Sequence, residues 1–191
     1  MTTEADVPAF SQPLATDGGG LFDLVGGLPV HPLVVHVAVV VLPAAALALI
    51  VIVLLPRVHW LVRWGVVAAL AVGALAVWVA AESGEALADR VGEPDVHEEL
   101  GENLPAIAAV TLAFGIVWAI IAELSARATR TARTTDSGGA PTASPGATRA
   151  LLALRIVISV AAAAMAAFAI SFTIVVGHSG AVATWLPRVG G

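Results

Sequence analysis

The 191-residue chain contains no cysteine and no lysine, and only 12% of its residues are charged. The absence of cysteine excludes disulfides, thiolate metal ligands, covalent c-type haem attachment and a cysteine nucleophile. Soluble domains carry about 25% charged residues, so this chain has too few charges to cover a globular surface. Because 59% of the residues are hydrophobic, the composition indicates insertion into a lipid bilayer.

Sequence signatures of catalysis and of nucleotide binding are also missing. The chain contains no H-E-x-x-H and no G-x-S-x-G motif. Its glycine triplet at residues 18–20 is not followed by the Lys-Ser/Thr of a phosphate-binding loop. The net charge of −5 gives no support to nucleic-acid binding. We therefore assign no catalytic residue, favour a non-enzymatic function, and expect neither nucleotide nor nucleic acid as a partner.

Four apolar stretches are each long enough to cross a hydrocarbon core, which takes about 20 helical residues. They lie near residues 33–55, 60–81, 104–122 and 151–176. A spanning backbone must satisfy its own hydrogen bonds, and these runs lack the alternation of barrel strands, so we predict helices. The expected fold is an all-α, four-helix transmembrane bundle over residues 28–186, without an evident internal repeat.

The polar remainder of the chain is expected to lie outside the bundle. Residues 1–27 contain no basic residue and lack the positive start of a secretory signal, so they are predicted to form a disordered or interfacial N-terminal tail. Residues 134–148 are rich in Gly, Pro, Ser and Thr and are predicted to form a disordered cytoplasmic loop. Residues 187–191 are expected to form a C-terminal tail.

The nine basic residues, all arginines, divide unequally between the two sides of the predicted bundle. Seven lie beside the connectors between spans one and two and between spans three and four, whereas Arg90 and Arg188 lie on the other side. Cytoplasmic loops carry an excess of Lys and Arg. The distribution therefore predicts that both termini are extracytoplasmic.

Four of the five histidines fall at span ends that this topology places on the extracytoplasmic side. They are His31, His36, His97 and His178. Glu82 and Glu85, which are three residues apart and share a helical face, end span two on the same side. Imidazole near a bilayer boundary is costly unless it binds or relays something. We therefore predict a His/Glu pocket at the extracytoplasmic face.

The residue types of this pocket suit two kinds of bound group. Imidazole with carboxylate suits a transition-metal ion, and two imidazoles on facing helices suit a b-type haem, which needs no cysteine. His36, which lies within the apolar run, and His178 are the preferred haem ligands, followed by His97 and His31. The set for a metal ion is His36, His97, His178, Glu82 and Glu85.

Two other functional classes are open at this point. The cluster could be a structural hydrogen-bond network in a non-catalytic accessory or scaffold subunit. The chain could also be a small transporter or channel, although its spans carry almost no charge at the midplane, where substrate and ion sites usually lie. Beyond membrane lipid and a redox or other membrane protein, the sequence indicates no partner.

Four segments together resemble a known family. They are HPLVVH at residues 31–36, ESGE at residues 82–85, His97 before span three, and GHSG at residues 177–180. Over about residues 28–186 they are similar to the bacterial membrane family called domain of unknown function 2231. The resemblance implies a four-helix protein of the bacterial plasma membrane without an assigned activity. Some relatives are joined to cytochrome c or iron–sulfur modules, which implies redox partners; this chain has no such module.

Overall fold

The computed structural model describes residues 22–55, 57–91, 95–135 and 145–189. Its helices are α1 (Val30–Leu54), α2 (Trp60–Val91), α3 (Asp95–Thr135) and α4 (Pro145–Val189), and a short antiparallel pair, β1 (Leu24–Val25) and β2 (Leu28–Pro29), precedes α1. All four helices are long and apolar enough to cross a membrane. This confirms the prediction of an all-α fold with four such helices and supports a multi-pass membrane protein.

The β1–β2 hairpin occupies the end of the segment for which the sequence predicts a disordered tail. Gly26 and Gly27 form its turn with φ values of 62° and 81°. A two-residue hairpin turn with positive φ at both positions favours glycine, which has no Cβ to clash. The backbone N–H of Val30 donates to the carbonyl of Asp23 at 3.0 Å, which ties the hairpin to the first residue of α1. Residues 1–21 lie outside the described residues.

The four helices pack as a ring in chain order. Helix α1 contacts α2, α2 contacts α3, α3 contacts α4, and α4 closes the ring against α1, whereas α1 and α3 lie diagonally with little contact. Successive helices of such a bundle run antiparallel. The starts of α1 and α3 therefore share one end with the ends of α2 and α4. We call this the histidine end, and the opposite end the arginine end.

Small side chains let the helices approach closely, as is common in membrane bundles. At Gly73 of α2, a Cβ would lie 2.9 Å from Cα of Leu42 in α1. Trp118 of α3 is the largest fully buried side chain, and its indole N–H donates to Oγ of Ser159 in α4 at 3.0 Å. The outer faces carry many exposed valine, leucine and isoleucine side chains. Such faces suit contact with lipid tails.

The helices are longer than the predicted spans at the histidine end. Helix α2 continues to Val91, α3 begins at Asp95, and α4 continues to Val189, where the sequence placed the span boundaries at residues 81, 104 and 176. Hydropathy finds only the apolar part of a helix, whereas the backbone hydrogen bonds continue through polar residues. The predicted loop over residues 134–148 overlaps α3 and α4 at its two ends, and residues 136–144 lie outside the described residues.

An ion pair joins α2 and α3 at the arginine end. Nη2 of Arg63 donates to Oε2 of Glu123 at 2.5 Å, and the Arg63 side chain is only 7% exposed. Oε1 of Glu123 also accepts from Nε of Arg127 at 3.0 Å and lies 3.7 Å from Nη2 of Arg130. The side chains of Arg127 and Arg130 are exposed. The carboxylate of Glu123 thus forms ion pairs with three guanidinium groups, one of which is buried.

Candidate functional site

The histidine end contains a cavity of about 460 Å³ that is lined by residues of all four helices. Its titratable lining residues are His31, His36, His97, Glu85, Glu98 and Glu102. The other lining residues are mostly small or apolar. Sites for small ligands and cofactors have volumes of about 300–1,000 Å³ and combine a mainly apolar lining with a few placed polar groups. The cavity therefore has the size and composition of a ligand site.

His31, in the first turn of α1, connects that helix to α2. Its Nδ1 atom lies 2.8 Å from the carbonyl oxygen of Ala80. The ring rests on Gly84, where a Cβ would come within 3.2 Å of Nδ1. The hydroxyl of Ser83, which is buried, donates to the same Ala80 carbonyl at 3.1 Å. One hydrogen bond thus orients the imidazole of His31, and the absence of a side chain at Gly84 leaves room for the ring.

His97, near the start of α3, connects that helix to α4 in a similar way. Its Nδ1 atom lies 3.0 Å from Oγ of Ser179. The hydroxyl of Ser179 in turn donates to the carbonyl of Val176 at 2.8 Å. The ring rests on Gly180, where a Cβ would come within 2.9 Å of Cε1. His31 and His97 are also close enough to interact electrostatically.

The hydrogen bonds of these two histidines define the same tautomer. The Ala80 carbonyl can only accept, so Nδ1 of His31 carries the shared proton. Ser179 gives its hydroxyl proton to Val176, so its Oγ accepts the Nδ1–H of His97. A neutral imidazole protonated at Nδ1 keeps a lone pair on Nε2. An imidazole whose one nitrogen is fixed by such a bond is the usual form of a metal-binding histidine.

The other predicted ligands lie in different surroundings. His36 lines the cavity but is exposed, and its Nδ1 lies 2.5 Å from the carbonyl of Pro32, one turn earlier in α1. His178 is exposed on α4 and is not a lining residue. Glu85 lines the cavity, whereas Glu82, which is partly buried, does not. The structure therefore brings together His31, His36, His97 and Glu85 around one cavity, with His178 and Glu82 outside it.

The sequence predictions did not include the supporting role of the Ser-Gly dipeptides beside His31 and His97. Ser83-Gly84 and Ser179-Gly180 are the same dipeptide at the ends of α2 and α4, which is a signal visible in the sequence. Glu98 and Glu102, one turn apart on α3, were also missed as lining residues. Residues four apart share a face only if both are helical. Because α3 begins at Asp95, Glu98 and Glu102 are helical and share a face.

A site for a metal ion with a full set of protein ligands is not preassembled in the part of the chain that the structure describes. No group of three or more His, Asp or Glu side chains there is arranged to hold an ion. Structural zinc sites take four protein ligands and catalytic ones take about three. The imidazoles that line the cavity are those of His31, His36 and His97, and of these the rings of His31 and His97 are hydrogen-bonded to a neighbouring helix.

Comparison with models of known families, with curated proteins and with solved structures found no match for this chain.

Proposed function

We propose that this chain is a multi-pass protein of the bacterial plasma membrane that binds a haem b or a transition-metal ion at its histidine end and serves membrane redox chemistry or metal handling. The observation that carries the proposal is the placement of His31 and His97, which line one cavity and whose Nδ1 atoms are each hydrogen-bonded to a neighbouring helix. With Nδ1 as the donor in both bonds, each ring keeps an Nε2 lone pair. Metal ligation requires neutral imidazole with a free lone pair.

The residues present fit these groups to different degrees. The two imidazoles fit a haem b, which brings four nitrogens of its own and takes axial ligands from the protein. A bare metal ion would need further ligands, such as water or Glu85, Glu98 and Glu102 of the cavity lining. When bound, either group would supply one-electron or Lewis-acid chemistry. The chain's own residues would hold and orient it and limit its contact with water.

The orientation in the membrane belongs to the same proposal. The described side chains at the arginine end include Arg57, Arg63, Arg127, Arg149 and Arg155. The positive-inside rule favours the cytoplasm for that end. The histidine end and both termini are then extracytoplasmic. The likeness of residues 31–36 and 177–180 to the bacterial family named above supports the same membrane.

Purification in detergent followed by absorption spectroscopy and elemental analysis tests the proposal. We expect a Soret band, or stoichiometric iron, copper, zinc or nickel, as isolated or after titration with haemin or these ions. His31→Ala and His97→Ala should each lower the affinity by about tenfold or more, which is the scale of losses at metal sites. His59→Ala is the matched control, because His59 is exposed at the arginine end. Failure of the wild-type protein to bind any of these probes would overturn the proposal.

A structural hydrogen-bond network is the second candidate, and one observation favours it. The bonds of His31 and His97 each cross a helix interface, from α1 to α2 and from α3 to α4. In a scaffold subunit these bonds would set the register of the two helix pairs. His31→Ala and His97→Ala would then lower the thermal stability of a wild-type protein that binds neither haemin nor metal ions.

A further inference from the structure

The histidine end contains two equivalent half-sites, one in each helix hairpin. In each, a histidine from the start of the first helix rests on a Ser-Gly pair near the end of the second. The equivalent pairs are His31 and His97, Ala80 and Val176, Ser83 and Ser179, and Gly84 and Gly180. In both, the serine hydroxyl donates to the carbonyl three residues earlier, at 3.1 Å and 2.8 Å. The histidine bonds to the carbonyl in the first half-site and to the serine in the second.

The equivalence continues along the helices. Helix α3 has buried residues at six of the eight positions that are buried in α1, at an offset of 66 residues. The buried pairs are Ala38 and Leu104, Leu42 and Ala108, Ala45 and Thr111, Leu49 and Gly115, Ile52 and Trp118, and Val53 and Ala119. Helix α4 has buried residues at five of the nine positions that are buried in the described part of α2, at an offset of 96 residues. Any two helices with one buried face show matching burial patterns once one position in each is aligned, because both have the same period. The evidence for a repeat is therefore that the alignment that matches the buried positions also matches His31 with His97.

The packing order turns this repeat into an approximate two-fold symmetry. Helices α1 and α3 lie on one diagonal of the ring, and each packs against both α2 and α4. A half-turn about the bundle axis therefore exchanges the two hairpins, as in membrane proteins built from parallel repeats. This half-turn relates His31 of α1 to His97 of α3, and both residues line the cavity, to which both hairpins contribute.

We infer that the cavity holds a single haem b whose iron is bound by Nε2 of His31 on one face and by Nε2 of His97 on the other. This inference rests on the proposed function and narrows it. Two equivalent imidazoles on the diagonal helices α1 and α3 offer the two further ligands that a porphyrin iron takes after its four ring nitrogens. A bare ion would need a third protein ligand, and the described residues offer no group of three. Ser83-Gly84 and Ser179-Gly180 are the positioning residues of the two imidazoles.

Titration of the detergent-solubilised full chain with haemin tests the inference by spin state. The wild-type protein should give a six-coordinate, low-spin absorption and EPR spectrum. His31→Ala and His97→Ala should each give a five-coordinate, high-spin spectrum, and the double variant should lose haemin binding. His178→Ala is the matched control, because His178 is exposed at the same end of the bundle and does not line the cavity, and it should remain low-spin. The His97→Gly variant should also be high-spin, and added free imidazole should convert its spectrum to low-spin by replacing the missing side chain.

The outcomes separate this inference from the proposed function. Low-spin haem in His31→Ala or His97→Ala, or its loss in His178→Ala, would overturn the bis-histidine assignment and leave haem binding in place. Binding of a metal ion without haemin would overturn the assignment and leave metal binding. Binding of no probe would overturn both.

A second readout does not depend on a bound group. In ¹⁵N NMR spectra of the haem-free protein, the ring nitrogens of His31 and His97 should both show the Nδ1–H tautomer. Ser179→Ala should shift the signals of His97 and leave those of His31 unchanged, because Ser179 contacts only the second half-site. An Nε2–H tautomer for either histidine in the wild-type protein would overturn the inference.

Discussion

Single glycines determine whether an imidazole can occupy each half-site. The ring of His97 lies against Gly180, and the space there is tighter than at Gly84, where the nearest approach of a Cβ to His31 would be 3.2 Å. Protein interiors are close-packed, so an added methyl group at such a contact must displace its neighbour. The absence of a side chain at residue 180 is therefore a requirement of the site.

We expect Gly180→Ala to destabilise the protein relative to Gly177→Ala. A Cβ at residue 180 would lie 2.9 Å from Cε1 of His97, whereas a Cβ at residue 177 meets nothing within 4 Å. Overpacking costs about 1–3 kcal/mol, and the gain in helix propensity on replacing glycine is common to both variants. Thermal unfolding in detergent measures the difference. Equal melting temperatures for the two variants would contradict the close contact.

The segment GHSG at residues 177–180 shows what residue-level reasoning could and could not predict. The sequence predicts that this segment belongs to the His/Glu pocket and that His178 is a ligand. In the structure, Ser179 and Gly180 support His97, a residue of another helix, and His178 is exposed. Successive helical residues are about 100° apart around the axis. Which of them meets a neighbour depends on the rotation of the helix, and packing sets that rotation.

At the scale of elements, the ion pair of Arg63 with Glu123 joins α2 to α3. Removing one partner of a buried ion pair is strongly destabilising when the remaining charge has no other partner. It is less destabilising when the remaining charge keeps one. The two residues differ in this respect. Glu123 has Arg127 and Arg130 beside it, whereas Arg63 is buried and its Nε has no hydrogen-bond partner within the described structure.

We therefore expect an asymmetric response to substitution of this pair. Glu123→Gln should lower the melting temperature strongly, because it leaves the buried guanidinium of Arg63 without a carboxylate. Arg63→Met should lower it much less, because Glu123 keeps two arginines and a poorly satisfied donor is removed. Arg127→Ala is the control for loss of an exposed partner. Melting curves in detergent that show equal losses for Glu123→Gln and Arg63→Met would refute this account.

At the scale of the whole molecule, the two ends of the bundle differ in charge. The cavity lining at the histidine end includes three carboxylates, Glu85, Glu98 and Glu102. The arginine end carries most of the described arginines, and Glu123 lies among them. A membrane protein with such an asymmetry inserts with its basic end toward the cytoplasm. In the proposed orientation the site would face the extracytoplasmic side and would be accessible to redox partners or metal ions from outside the cell.

Single-cysteine labelling measures this orientation directly, since the chain has no cysteine of its own. Val189→Cys and Gly146→Cys form a matched pair, because both residues are exposed and lie at opposite ends of α4, outside its apolar span. A membrane-impermeant maleimide should label Val189→Cys in intact spheroplasts. It should label Gly146→Cys only after the membrane is permeabilised. The reverse pattern would place the histidine end in the cytoplasm.

The number and type of the helices follow from composition and hydropathy alone. Long apolar runs taken out of water must form their backbone hydrogen bonds internally, and this restricts each run to a helix whatever its neighbours are. The pairing of His31 with Ala80 and of His97 with Ser179 could not be obtained in that way. It depends on how far the helices extend past their apolar parts, how each is rotated, and which glycines allow close approach. Those quantities are set by packing between helices that are distant in the chain, and local sequence patterns do not contain them.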